Sequence, residues 1–142
     1  MRISDIMRHK GSAVATIAPE ASVTTLLAVL RDNNIGAVVV TAGDDVVGIV
    51  SERDVVRRLC ERGAALLAAP VAEIMTSTVF SCALDDSVDS LADTMTQRRI
   101  RHVPVVVEGR LRGIVSIGDV VKSRITELEL DREQLASYIE RG

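Results

Sequence analysis

Two short stretches of the chain carry a serine and an aspartate three positions apart, directly after an apolar run. Residues 48–56 read GIVSERDVV and residues 113–121 read GIVSIGDVV, so seven of nine letters agree. Ser-x-x-Asp after a strand is typical of a helix start, because the hydroxyl accepts a hydrogen bond from a first-turn N–H and the acid faces the positive end of the helix dipole. A cap alone leaves the choice of aspartate less well explained, since glutamate reaches back more easily.

The same geometry suits a sugar phosphate. Free N–H groups at a helix N-terminus, together with a serine hydroxyl, can bind a phosphate, and a short carboxylate one turn later can accept both hydroxyls of a ribose. Gly48 and Gly113, just upstream, would let a ligand or a backbone segment approach closely. Spacing alone leaves both interpretations open, a cap and a ligand site.

These stretches belong to a longer internal duplication. Shifting the chain by sixty-five residues without a gap pairs residues 14–58 with residues 79–123, and fifteen of the forty-five aligned residues are identical. A shorter lead-in precedes each copy, Asp5-Ile6-Met7 before the first and Glu73-Ile74-Met75 before the second. A repeat of this length indicates one supersecondary unit used twice.

Each copy predicts the same local structure. Short strands at about 14–17 and 79–82 lead to Ser22 and Ser87, which are suitable helix N-caps, and apolar residues then recur at helical spacing. A hairpin of two strands follows, and Ser51 or Ser116 opens a second helix. A unit of this size buries too little surface to be stable alone, so we expect the two copies to pack together.

The predicted fold is therefore mixed α/β, of the α+β type, with two β-α-β-β-α units in one module and a C-terminal amphipathic helix. The expected boundaries are 1–66 for the first unit, 67–125 for the second and 126–142 for the C-terminal helix. An apolar stripe runs along this last helix and the residues just before it, at Val121, Ile125, Leu128, Leu135 and Ile139. The stripe either covers the module's own core or packs across a dimer, and the sequence favours neither.

Composition narrows the function. The chain has 142 residues, 47% of them hydrophobic, and a net charge of −3 with both signs interspersed, so nothing favours nucleic acid. Neither a signal-like nor a membrane-spanning stretch is present, and we expect a soluble cytoplasmic protein without a membrane partner. The two histidines and two cysteines lie far apart, and no Gly-rich phosphate loop of the Walker type occurs, so we expect no catalytic residues, no metal site and no enzyme.

The duplication and its motifs resemble the cystathionine-β-synthase (CBS) domain family, as a stand-alone tandem pair known as a Bateman module. The resemblance covers nearly all of residues 1–125 and rests on the lead-ins, on VATIAPEASV and VFSCALDDSV, on IGAVVV and IRHVPVVV, and on the two Ser-x-x-Asp stretches. It implies a pseudo-twofold pair of units with two clefts between their sheets. Such clefts commonly bind AMP, ATP, NAD or S-adenosylmethionine, and such modules often form homodimers.

The resemblance also implies a role for individual residues. Asp54 and Asp119 match the acid that binds ribose, while Ser51 and Ser116 match the hydroxyl near the phosphate. Thr16 and Ser81 match a hydroxyl position at the end of the first strand. The residues implied to line the clefts are the backbone of Ile17, Ala18, Cys82 and Ala83 beside adenine, Val38 and Val103 as an apolar wall, and Pro104 directly after Val103.

The two clefts are not expected to be equal. The second copy carries a basic cluster around its hairpin: Arg98, Arg99, Arg101, His102, Arg110 and Arg112. Arg101 and His102 directly precede Val103 and Pro104, where similar modules have phosphate-contacting basic residues. The alternative interpretation is that these basic residues only form a solvated surface. The first copy has Gly36 and Ala37 at those positions, although Arg53 could partly compensate. We expect the second cleft to bind more tightly.

The predicted function is regulatory and non-catalytic. The expected ligand is an adenine nucleotide (AMP, ADP, ATP or NAD) that serves as a regulatory signal and not as a catalytic cofactor. Because the sequence contains no attached catalytic or transport domain, the regulated target is expected to be a separate, unidentified protein. The alternative is a ligand-free dimeric scaffold in which the Ser-x-x-Asp stretches only cap helices. A homodimer is expected in either case.

Overall fold

The duplication is visible in the order of the helices and strands. A computed structural model describes residues 1–11 and 13–141, so Ser12 and Gly142, the last residue of the predicted C-terminal helix, lie outside the described part. The elements in chain order are α1 (Ile3–Lys10), β1 (Thr16–Ile17), α2 (Val23–Asn33), β2 (Ala37–Ala42), β3 (Asp45–Ser51), α3 (Glu52–Arg62), α4 (Val88–Arg98), β4 (His102–Val107), β5 (Arg110–Ser116) and α5 (Ile117–Arg141). Two 3-10 turns, Gly63–Ala68 and Val71–Glu73, join the copies.

The sheets repeat down to an irregularity in their register. β1 pairs in parallel with β2, and β2 pairs antiparallel with β3, while β4 pairs antiparallel with β5. The register shifts after Val40 in the first hairpin and after Val105 in the second. The strand expected at 79–82 is reduced to a single bridge, in which the N–H of Cys82 donates to Pro104 O at 2.9 Å.

The predicted helix starts are confirmed. The hydroxyl of Ser22 accepts a hydrogen bond from the N–H of Thr25 at 3.1 Å, and that of Ser87 accepts one from Ser90 at 3.0 Å. Each cap satisfies a backbone donor that the helix itself leaves unpaired. Both copies therefore begin their first helix at equivalent residues.

Two hydrophobic cores form, and the lead-in segments are exchanged between them. Ile3 and Ile6 of α1, which precede the first copy, are buried in the core of the second copy beside Leu91 and Val103. Ile74, which precedes the second copy, is buried in the core of the first copy beside Leu26. Each copy thus depends on a segment that lies next to the other copy in the sequence, which ties the two units into one body.

The exchange of lead-in segments explains why both copies have a glycine at the same position, Gly48 in the first and Gly113 in the second. A Cβ on Gly48 would stand 2.5 Å from Sδ of Met75, and a Cβ on Gly113 would overlap the side chain of Met7. The expectation of a close backbone approach is confirmed at Gly48, where the Cβ would also stand 3.0 Å from Thr76 O, whereas at Gly113 the side chain of Met7 fills the space. Behind Met75, the backbone of Thr76 exchanges hydrogen bonds of 2.9 and 3.0 Å with Ile49 of β3.

The C-terminal helix is continuous with the last helix of the second copy. Its inward face buries Val120 and Ser123, whereas the apolar stripe predicted from the sequence is largely exposed, with Leu128 and Ile139 at 61% and 68%. The stripe therefore does not cover the core of its own chain. Within residues 1–11 and 13–141, none of the helices combines the length and apolar character needed to cross a membrane.

Candidate functional site

In the first copy, Ser51 and Asp54 form a reciprocal capping pair at the start of α3. Oδ2 of Asp54 accepts from the N–H of Ser51 at 2.8 Å and from its hydroxyl at 3.1 Å, and the N–H of Asp54 donates to Oγ of Ser51 at 3.4 Å. The shorter acid therefore does reach back, so a cap accounts for aspartate at this position. Among the described residues, no hydrogen bond uses Oδ1 of Asp54.

The second copy repeats the pair and adds a third residue. Oδ2 of Asp119 accepts from the N–H of Ser116 at 2.8 Å, and the N–H of Asp119 donates to Oγ of Ser116 at 3.2 Å. The ammonium group of Lys10, at the end of α1, lies 2.7 Å from the same carboxylate oxygen. It also donates to Ile114 O at 2.7 Å. The sequence did not predict this ion pair.

The carboxylate of Asp119 is held in its charged form. Partial burial by itself would raise the pKa of Asp119, but hydrogen bonds from Lys10 and from the backbone of Ser116 outweigh it and lower the pKa below the ordinary 3.8. A charged, half-buried carboxylate whose contacts fall on Oδ2 is a strong acceptor for hydroxyl donors. This is the chemistry that a ribose requires.

Backbone contacts bring the start of β4 next to this pair. The N–H of Ile117 donates to Arg101 O at 2.8 Å, just as the N–H of Glu52 donates to Gly36 O at 3.0 Å in the first copy. Arg101 and His102 therefore lie near Ser116 and Asp119. Arg101 is exposed and His102 is half-buried.

His102 also faces the first copy. A Cβ on Gly36 would stand 3.7 Å from Cε1 of His102 and 3.3 Å from Oε1 of Glu52, so these side chains meet at the small residue. Burial and the positive charge of Lys10 lower the pKa of His102, against the opposing effects of Asp119 and Glu52. The imidazole lies between the two copies and is surrounded by charged groups of both.

The segments before each hairpin present small or polar residues to solvent. Thr16, Ala18, Ser81 and Ala83 are exposed, and they alternate with Ile17 and Cys82, which are buried in the two cores. Burial raises the pKa of the Cys82 thiol to about 12, so the thiol remains protonated and is not a nucleophile.

The remaining site residues predicted from the sequence differ in exposure. Val38 and Val103 are buried within the first and second cores, Pro104 is also buried, and Arg53 is exposed beside Asp54. Of the second-copy basic cluster, Arg98 lies with its guanidinium 4.8 Å from the ring centre of Phe80, a cation–π contact. Arg99, Arg110 and Arg112 are exposed.

A cavity of about 340 Å³ adjoins the second capping pair. Its lining residues come from the end of α1 and the first half of α5: Ile6, His9, Lys10, Asp119, Lys122, Ser123 and Thr126. Sequence reasoning missed the contribution of α1, because the alignment of the two copies begins after it, at residue 14. The similarity of Asp5-Ile6-Met7 to Glu73-Ile74-Met75 was the sequence signal that α1 belongs to the site.

Comparison with known proteins identifies the family. The CBS domain model matches residues 3–61 and 71–125, so the chain belongs to the CBS domain family and carries two such domains in tandem. A mitochondrial CBS domain-containing protein of Arabidopsis thaliana, CBSX3, is 32% identical over 99% of this chain and 72% of its own length. A CBS-domain protein from Agrobacterium tumefaciens has 44% identity and a TM-score of 0.85, covering 87% of this chain and 99% of its own.

Two similar structures contain adenosyl ligands. A CBS domain protein from Pyrobaculum aerophilum, solved in complex with AMP, is 29% identical with a TM-score of 0.79, and the match covers 93% of this chain and 99% of that one. The CBS domain pair of protein MJ0100, in complex with 5-methylthioadenosine and S-adenosyl-L-methionine, is 25% identical with a TM-score of 0.80 over 89% of this chain and 98% of its own. Structures similar to this chain therefore include CBS domain proteins that bind adenosine derivatives.

Proposed function

We propose that the protein is a non-catalytic regulatory module that binds an adenine nucleotide in the clefts between its two CBS units. One observation carries the proposal: in both copies a serine–aspartate pair lies at a helix start, bonded to the segment where a strand begins, and in the second copy this segment is Arg101 and His102. AMP in a relative supports an adenosine ligand, with AMP, ADP, ATP and NAD as the candidates and S-adenosylmethionine as a further adenosyl compound.

The proposed contacts follow from the acceptors and donors at each helix start. In each copy, the carboxylate of Asp54 or Asp119 would accept the ribose hydroxyls, one on each oxygen, while the serine hydroxyl and the first N–H groups of the helix would face the phosphate. Thr16 and Ser81 offer exposed hydroxyl groups as further candidate contacts. Because the side chains of Ile17 and Cys82 are buried, these residues and the alanines after them would meet adenine with their backbone.

Val38, Val103 and Pro104 would support the clefts from within. Their side chains are buried, so we propose that they hold the strands in position and that the strand backbone contacts the ligand. Aromatic rings are scarce in this chain, with one phenylalanine and one tyrosine, so adenine would be held by aliphatic and backbone contacts.

We propose that the second cleft is the tighter site. Three basic residues lie near Asp119 and can bind a negatively charged phosphate: Arg101, His102 and Lys10. In the first copy, the positions equivalent to Arg101 and His102 are Gly36 and Ala37. Arg53 is exposed next to Asp54 and is the remaining basic candidate in the first copy. The nucleotide affinity of the first cleft should therefore be lower.

The module is further proposed to act as a homodimer on a separate target protein. The exposed stripe of α5 continues from Val121 to Ile139, and Val56 and Leu59 of α3 are also exposed. An unpartnered apolar surface of this length is rarely left in contact with water. The cytoplasmic location expected from the sequence stays a prediction, since one relative is mitochondrial.

A ligand-free dimeric scaffold is the second candidate function. The complete capping pairs favour it, because they account for both aspartates without any ligand. Mass spectrometry of small molecules released from the purified, denatured protein separates the two candidates, together with thermal denaturation in saturating AMP, ATP and NAD. A sensor should release an adenosyl compound or gain melting temperature, because ligand binds only its folded state. A scaffold should do neither.

A further inference from the structure

Lys10 breaks the symmetry between the two copies. In the first copy, Ile49 O accepts from the backbone N–H of Thr76 at 2.9 Å; in the second copy, the equivalent Ile114 O accepts from the ammonium of Lys10 at 2.7 Å. The lead-in of the first copy remains helical up to Lys10, so a side chain replaces the backbone contact. That side chain also reaches Asp119, whereas Asp54 forms no ion pair among the described residues.

The ion pair occupies the acid that is proposed to bind ribose. The side chains of Lys10 and Asp119 are 33% and 24% exposed, so both charges are partly withdrawn from water. A carboxylate that gives up this partner for neutral hydroxyl groups leaves the ammonium group without an anion. Leaving one member of a partly buried pair uncompensated is unfavourable.

We propose that Lys10 makes the second cleft selective for phosphorylated nucleosides over unphosphorylated ones; the inference rests on the proposed adenosine site. Adenosine competes with Lys10 for Asp119 and offers no charge in return. AMP makes the same ribose contacts, and its phosphate gives the released ammonium group a new anionic partner. The cavity of about 340 Å³ beside Lys10 provides room for the lysine side chain to turn.

The test compares adenosine with AMP by titration calorimetry in an Asp54→Asn background, which isolates the second cleft. Lys10→Met removes the competing charge and keeps an unbranched apolar stem. We expect adenosine to bind about three- to tenfold more tightly than to the background protein, as the loss of a partly buried ion pair implies. The preference for AMP over adenosine should fall by a similar factor or more.

Two further variants control for charge and for folding. Lys10→Arg keeps a cation within reach of Asp119 and should retain the preference for AMP. Arg8→Met removes a positive charge from the same helix, at an exposed residue that does not line the cavity, and should leave adenosine affinity unchanged. Unchanged or weaker adenosine binding in a folded Lys10→Met protein overturns the inference alone. If neither ligand binds any variant, the proposed function fails, and the inference fails with it.

Discussion

The sulfur atom of Met75 lies where a side chain on Gly48 would have to stand, 2.5 Å from an ideal Cβ. The lead-in of the second copy is in this way fitted into the sheet of the first copy. Thr76 O lies 3.0 Å from the same point, so an added methyl group would also crowd the backbone and could not shift away from Met75. The glycine of GIVSERDVV is required by packing between the copies.

Gly48→Ala should therefore destabilise the protein by about 1–3 kcal/mol, the usual cost of overpacking a core. Urea denaturation measures the change. Gly118→Ala is the matched control, since a Cβ there meets only Ser116 Oγ at 3.6 Å and lies within α5, where alanine is a better helix former. Equal stability of the Gly48→Ala and wild-type proteins would contradict the packing interpretation.

The same relationship in the second copy can be tested by compensation. Gly113→Ala should be destabilising because the added methyl group overlaps Met7, and Met7→Ala in the same chain should recover part of the loss. The interaction free energy from this double-mutant cycle should be about 0.5–3 kcal/mol, as for side chains in contact. Strictly additive effects would mean that Met7 is not the residue that requires glycine at position 113.

The exposed stripe of α5 predicts the oligomeric state. Leu128→Lys and Leu135→Lys should weaken the proposed homodimer, because each places a charge within an apolar interface. Multi-angle light scattering at micromolar concentration should report a dimer for the wild-type protein and a lower mass for both variants. Gln134→Lys adds the same charge to an exposed polar position of the same helix and should remain dimeric. A monomeric wild-type protein would defeat this prediction.

His102 predicts a loss of stability in mildly acidic solution. Its folded-state pKa is lowered from 6.5, chiefly by burial, so the unfolded chain takes up a proton first as the pH falls. Stability should decrease from about pH 6.5 down through the folded-state pKa. Asp119, with its pKa lowered from 3.8, contributes a loss only in stronger acid. Between pH 7.5 and 5, thermal denaturation of His102→Gln should depend less on pH than that of wild type, while the exposed control His9→Gln should behave as wild type.

Much of the fold could be predicted from the sequence because it is indicated by short local patterns or by the internal duplication. Ser22 and Ser87 cap helices as expected, since N-capping depends on residues three apart. The exchange of lead-ins was not predictable in this way. Whether Ile6 packs on the copy that follows it or on the other one depends on long-range packing, and the local pattern is the same in both cases.

The candidate site was predicted in part for the same reason. Arg101 and His102 lie near Asp119 because a strand start is bonded to a helix start within one copy. Lys10 was missed because its partner, Asp119, is more than one hundred residues away, and because Asp54, the equivalent acid of the first copy, forms no ion pair among the described residues. Both glycines do mark a close approach, but the sequence alone could not show whether a ligand, a backbone segment or a methionine side chain fills the space.

The aspartates separate the sensor from the scaffold, since each is both a cap and a proposed ribose acceptor. Asn is the sharper substitution because it keeps the size and some capping ability while it removes the charge. Asp119→Asn should weaken AMP binding about ten- to a hundredfold, which corresponds to about 1.5–3 kcal/mol for charge-assisted hydrogen bonds. Asp54→Asn should leave the tighter AMP site in place.

Titration calorimetry of AMP into the wild-type, Asp54→Asn and Asp119→Asn proteins, with their melting temperatures measured in parallel, tests the central claim most directly. We predict that AMP binds the wild-type protein and that Asp119→Asn loses the tighter site. A lower melting temperature of Asp119→Asn with AMP affinity within about twofold of wild type, a few tenths of a kcal/mol, would show that Asp119 is only a cap. If Asp54→Asn alone loses AMP binding, the tighter site lies in the first cleft. If the wild-type protein binds none of AMP, ATP and NAD, nucleotide sensing is contradicted altogether.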